Sequence, residues 1–421
     1  MGEVLGEPAL DGSGAVGTVG RPSLAGTTFW FLWLNAVSLQ LIVSADRFTF
    51  LWLVEDTLGS PTWASGLIVF AIGAPVCLLV MTAGALADRH DRRRMLMTTQ
   101  VAGLGVVTVG AALVWTEVID LGIAVVLAAA FGTVVAFALP VRSSLVPALV
   151  GPGRVMQAVV WMTVGSNVAM IAGPLFVGGI IEAHGVAWAF VAQGACFTLG
   201  LGFATRIVVP PRGTVVARRS LRADIGQALR FVRDHDRLGP LFLLLGVGGG
   251  VMGGSAFTLL PRIARDEFDR GAAEAGRMFA LMGLGMIITS LTLMRHRARL
   301  RRRGLTFIGF MILGTVNQML QGVAPSFLAL QGLLLLWGLT GGFYINLNQS
   351  LIQELTPADR MGRVMALNAL VGAGLLPLGG LAAGVVASLI GPRETLSLFG
   401  VVSLGCVLVV LWRAEALRNL R

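Results

Sequence analysis

The chain has 421 residues, of which 55% are hydrophobic and only 13% charged, with a formal net charge of +10. A soluble protein carries roughly a quarter of its residues as charges, so a soluble multidomain chain is excluded. Every basic residue is arginine; without lysine there is no phosphate-loop lysine and no Schiff-base chemistry, which removes ATP hydrolysis by this chain.

A membrane helix needs about 20 apolar residues, and the long intervals free of Asp, Glu and Arg supply the spans. Residues 1–23 are Gly-rich, lack the basic start and cleavage site of a signal peptide, and suggest a disordered tail. The first span is 22–45, with Asn35 and Gln40 inside it. Asp46-Arg47 follows and leaves two readings. Either the helix stops at Ala45 and the pair sits in an outer loop, or the helix continues and the pair lies in the membrane. The run Phe48 to Val54 is too apolar for a solvated loop, which favours the second. An acid inside a span is costly and usually functional, so Asp46 is the candidate proton-coupling group. By helical arithmetic Asn35 shares its face, and Gln40 and Arg47 share the adjacent one.

The second span, 57–87, runs into Gly84-Ala-Leu86-Ala-Asp88-Arg89-His-Asp91-Arg92-Arg93-Arg94. This loop resembles the signature loop of the major facilitator superfamily, with Asp91 at the family's second glycine. Thr57-Leu-Gly59-Ser60-Pro61, and the stretch from Leu139-Pro140 to Pro147, are similar to its enterobactin-exporter-like branch. The resemblance implies twelve helices in two six-helix halves, transport by alternating access, and a gating role for the loop residues Gly84, Asp88, Arg89, Arg92 and Arg93. It also implies that Asp88 pairs with a nearby arginine and with the start of the eleventh span, and that the branch carries an Asp in the first span.

Spans 95–116, 121–141, 155–181 and 183–205 complete the first half. The fifth holds Asn167 and the run Gly173-Pro174 to Gly178-Gly179, which resembles the superfamily's antiporter motif. An ordinary alternative is that glycines let helices approach and the proline bends one. A basic stretch, 209–238, then separates residues 24–208 from 239–413. Leu221, Ile225, Ala228, Leu229 and Val232 recur there at helical spacing, consistent with an amphipathic helix on the membrane surface or with a solvated linker.

The second half offers spans 238–261, 278–294, two within 304–353 divided by a turn at Val323 to Ser326, then 364–392 and 395–412, followed by a tail, 414–421. Gly248 to Gly253 fits a nucleotide fingerprint only formally, since no strand precedes it. Gly246, Gly250 and Gly254 instead suggest tight helix contact, and Met278, Met282 and Met286 suggest core or lipid-facing packing. Tyr344, Asn346, Asn348, Gln349 and Asn368 are polar groups in spans that the resemblance places at or behind the central cavity. Asn317, Gln318 and Gln321 belong to a peripheral span. Trp33, Trp52, Trp63, Trp115, Trp188 and Trp412 fall near span ends and suggest an interfacial belt. At an offset of 206, Ser144, Leu145, Leu149 and Arg154 align with Ser350, Leu351, Leu355 and Arg360, and Gly173, Gly178 and Gly185 with Gly379, Gly384 and Gly391. A duplicated six-helix unit accounts for this.

Arginine asymmetry places both termini and 209–238 in the cytoplasm of a cell (inner or plasma) membrane protein. The exception is 262–277, where four arginines accompany Asp266, Glu267, Asp269 and Glu274. The charge is thus explained by topology, and no nucleic-acid partner is expected. The three cysteines and four histidines are scattered, so no cofactor, metal or catalytic constellation is expected. The expected protein is a monomeric, all-α exporter of a small organic solute, drug or siderophore-like, by proton antiport, with membrane lipid, solute and protons as its partners. The alternatives are a lipid or lysophospholipid flippase of the same fold and a non-transporting receptor or scaffold.

Overall fold

The structure is a computed structural model that describes residues 27–150, 154–209, 221–296, 302–357 and 359–420. Among these the regular elements are all helical, as hydrocarbon demands, because only a helix satisfies its backbone polar groups within one segment. The first half comprises α1 (Thr27–Trp52), α2 (Thr62–Arg89), α3 (Arg92–Trp115), α4 (Leu121–Val150), α5 (Val155–His184) and α6 (Val186–Thr205). The linker helix α7 (Leu221–Arg233) follows. In the second half α8 (Leu238–Gly246) and α9 (Gly254–Arg262) form one crossing, joined by a wide π turn at Val247–Gly253. Then come α10 (Ala272–His296), α11 (Arg303–Gly322), α12 (Phe327–Leu355), α13 (Met361–Ile390), α14 (Pro392–Arg413) and the short α15 (Glu415–Arg418). The expected tail 1–23 and the linker positions 210–220 lie outside the described residues.

Among the described residues, eleven of the twelve crossings are long and apolar enough to span a membrane. The twelfth, α11, is diluted by Asn317, Gln318 and Gln321, all of which are buried. Gln318 Nε2 donates to Ser255 Oγ of α9 at 2.8 Å, and Gln321 Nε2 to Asn317 Oδ1 at 2.7 Å. The first bond holds α11 to α9 inside the second half and the second runs along α11 itself, in a setting where a hydrogen bond has little competition from water. The predicted turn at 323–326 ends in Ser326, whose hydroxyl accepts from Ala329 N and caps α12.

Each half is a bundle: α1 lies on α5 and α6, α2 on α4, and α3 on α6 in the first, and α10 lies on α12, α11 on α14, and α9 on α13 in the second. The halves meet along two seams, α2 with α13 and α5 with α10. The duplication at offset 206 is visible in the contacts. Gly173 sits against α1 at Ser44 and Leu41, and Gly379 against Gly250 in the π turn. Gly178 meets Ala272 of α10, and Gly384 meets Gly66 of α2, each across a seam. Gly185 and Gly391 stand between α5 and α6 and between α13 and α14, with φ of 88° and 95°, a region that favours glycine.

The helix ends bear out the favoured reading of the first span and extend the fourth beyond its expected end. α1 does not stop at Ala45; the helix continues past Asp46 and Arg47 to a π turn at Leu53–Thr57. α4 runs on to Val150 because Arg142, buried, turns inward and donates to Ala36 O of α1 at 3.4 Å. Trp52 is not in an interfacial belt: it is 4% exposed and stacks on Phe48 with ring centroids 5.8 Å apart. Met278 and Met282 are core. The linker helix α7 lies on α13, with Ala228 and Val232 buried.

Candidate functional site

The candidate site lies where α1 faces the second half. Asp46 is fully buried, and neither carboxylate oxygen has a hydrogen-bond partner among the described residues. Its neighbour Arg47 points about 100° away around the helix, across the gap, with its guanidinium over the Phe257 ring of α9 at 5.4 Å. One residue further, Phe48 meets Phe279 of α10 edge-on at 6.0 Å. Phe279 stacks on Phe257 at 5.8 Å, and Phe257 meets Trp337 of α12 at 6.4 Å. A chain of aromatic rings thus crosses between the halves with Arg47 stacked on it, while Asp46 is buried on another face of the same helix turn. Only Asp46 and Arg47 of this group were singled out by sequence. The phenylalanines were missed because an aromatic in an apolar span carries no signal of its own.

Towards the arginine-poor end the halves are tied by charge. Arg265 pairs with Asp56 at 3.0 Å and with Asp266 at 3.1 Å, while Arg262 pairs with Asp266 at 2.9 Å and donates to Ser60 O at 3.0 Å. Ala273 N donates to Glu182 across the other seam at 2.8 Å. Arg270 and Arg277 both reach Glu274, at 3.5 and 3.4 Å. All four arginines of the exceptional segment 262–277 are therefore paired, which is why it departs from the asymmetry of the other loops. Beneath this cluster Glu55 is buried and accepts from Ser65 Oγ at 2.7 Å. The halves touch at this end. The ion pairs there are partly exposed and worth about 0–1 kcal/mol each, so they latch the contact without locking it.

The family profile described as transmembrane secretion effector matches residues 21–418. The chain belongs to this family, within the major facilitator superfamily. It is 28% identical over 366 residues to an enterobactin exporter of Salmonella typhi, covering 83% of this chain and 84% of that one. It is 23% identical over 371 residues to a staphyloferrin A transporter of Staphylococcus aureus (strain NCTC 8325), covering 86% and 89%. Among solved structures, a nucleoside transporter superposes with a TM-score of 0.74 at 11% identity, over 93% of this chain and 100% of the other. A bacterial homologue of the iron transporter ferroportin, in an inward-facing state, gives 0.68 at 15%, over 93% and 97%. At such identities the likeness is one of fold. This family member is a multi-pass membrane transporter of small molecules and not an enzyme.

The other residues singled out in this secretion effector fall into three groups. Asn35 does share a face with Asp46, but that face looks into the first half. Asn35 Nδ2 donates to Gly200 O of α6 at 2.8 Å and is buried, so it belongs to helix packing and not to a cavity wall. Gln40 is half-buried on the face of Arg47. In the second half Tyr344 Oη donates to Leu245 O of α8 at 3.1 Å, and Asn346 Nδ2 to Ser290 Oγ of α10 at 3.2 Å. Asn368 keeps a buried Oδ1 without a partner, and Asn167 is half-buried.

In the signature loop, Gly84 lies nearest Pro140 of α4, Arg92 donates to Ser144 O at 3.0 Å, and Arg93 donates to Thr205 O. The side chains of Asp88 and Arg89 lie outside the described ones. Asp91 replaces the family glycine for a local reason. Its φ is −63°, and its carboxylate caps α3 by accepting from Arg94 N at 2.9 Å. The helix-5 motif divides as well: Gly173 faces α1, the carbonyl of Pro174 meets Gly276 and Gly178 meets Ala272 across the seam, while Gly179 is exposed.

Proposed function

We propose that this protein exports a small organic solute of the siderophore or drug class in exchange for protons. The observation that carries the reading is Asp46, an acid buried within α1 next to Arg47 and Phe48, whose side chains reach the other half, in a chain resembling an enterobactin exporter along most of its length. A carboxylate held at that point is able to take up a proton on one side of the membrane and release it after the halves rock. Arg47, adjacent in sequence but stacked on the opposite half, links the charge of Asp46 to the position of α9. The aromatic rings suit a flat, partly apolar solute. Wild-type protein in proteoliposomes is expected to accumulate labelled catecholate siderophore in the lumen against its gradient when the lumen is made more acidic than the medium, so that protons leave as solute enters. Equal flux with the gradient collapsed would refute proton coupling.

The proposed orientation puts the arginine-rich end and both termini in the cytoplasm of the inner membrane, with the latched mouth outside. A cysteine introduced at Thr62 is expected to react with an impermeant thiol reagent from outside, and one at Thr214 is not. The reverse pattern would invert the topology.

A further inference from the structure

Between α7 and the start of α13, at the arginine-rich end, lies a cleft of about 570 Å³ that the transport reading does not use. Arg230, Phe231 and His235 line it from the linker, and Arg360 and Arg363 from α13. The Arg360 guanidinium stacks over Phe231 at 4.5 Å, and Phe231 meets the His235 ring at 5.7 Å. The His235 Nδ1 accepts from the backbone of Arg237 and Leu238, at 3.2 and 3.3 Å, which leaves its Nε2 as a donor. Arg230 spends only its Nε, on Gly226 O at 3.3 Å, and makes no ion pair among the described residues. The one acid in the lining, Asp234, is paired with Arg233, outside the cleft, at 3.1 Å. Arg360 has only a loose, exposed contact with Asp359 at 3.6 Å.

We propose that this cleft binds a phosphate-bearing anion. Guanidinium groups from two elements converge on it, and planar forked donors match phosphate oxygens. The volume admits a phosphate with the small alcohol it esterifies, while the stacked ring holds one arginine in place. Because α13 forms a seam with α2 and α7 joins the halves, an occupant would bridge the linker to a helix that moves in transport. The same chemistry is presented by an anionic lipid headgroup and by a soluble phosphate ester.

The test uses full-length protein in nanodiscs. In one arm phosphatidylglycerol is titrated into phosphatidylcholine discs and bound lipid is counted by native mass spectrometry. In the other, glycerol 3-phosphate is titrated into protein in pure phosphatidylcholine discs by calorimetry. Each of Arg230→Ala and Arg360→Ala is expected to weaken binding about fivefold, and both together about 25-fold. Arg206→Ala, an exposed arginine after α6 that does not line the cleft, is expected to leave binding unchanged. Loss confined to the lipid arm assigns a headgroup, and loss in the soluble arm assigns a free ester. Wild-type protein that binds neither ligand would overturn the proposal even if the variants fail to fold, and so would variants that bind as tightly as wild type.

Discussion

Replacing Asp46 with asparagine is expected to abolish proton-driven export while leaving exchange of solute down its own gradient. Asparagine fills nearly the same space in the interior of α1 and cannot gain or lose a proton, so the variant should express and fold as the wild type does. Burial matters here because an ionisable group inside a membrane protein is rare and usually functional, and neither oxygen of Asp46 has a hydrogen-bond partner among the described residues. The measurement is solute flux in proteoliposomes with and without an imposed pH gradient. In the variant the two rates should coincide, and accumulation against a gradient should disappear. If Asp46→Asn still accumulates solute with normal pH dependence, Asp46 is structural and coupling belongs elsewhere, with Glu55 the next buried acid to examine.

The second large effect is expected at the α2–α13 seam. A Cβ added at Gly66 would stand 2.7 Å from Gly380 O and 3.1 Å from Gly384 Cα. Both are backbone, so no side chain can move aside. Gly66→Val should destabilise the latched arrangement by about 1–3 kcal/mol, shifting the population towards an open mouth by roughly 5- to 150-fold. A cysteine at Phe279, in a background with Cys77, Cys196 and Cys406 replaced, would report this by faster reaction with an impermeant reagent. Unchanged labelling in a well-expressed variant would show that the seam does not open there. Gly379→Val provides the contrast. Gly379 presses on Gly250 within one half, no rocking motion relieves that clash, and folded protein should be lost.

Where hydropathy and glycine carried the information, the fold was legible in the sequence. The turn before Ser326, the linker helix and the duplication all leave local marks, and the aligned glycines occupy equivalent contacts because each is a place where backbone meets backbone. Charge left the end of the first helix open between two readings and ended the fourth span too early. Asp46, Arg47 and Arg142 look like the limits of spans because a charge in lipid is costly. Inside a bundle, the partner is another helix and not lipid. The site was legible only in its ionisable members. Phe48, Phe257, Phe279 and Trp337 come from four helices far apart in the chain, and no periodicity within one segment points to their meeting. Asn35 was placed on the right face of α1, yet one strand of sequence does not say which neighbour that face looks at.

The matched glycine contacts give the two seams a common construction. Gly178 against Ala272 and Gly66 against Gly384 each bring backbone against backbone, so the duplication carries no difference between the halves there. A preference for one direction has to arise where the duplication has been abandoned. The clearest such place is the first crossing of each half: α1 keeps an acid in its interior, whereas α8 and α9 contain none.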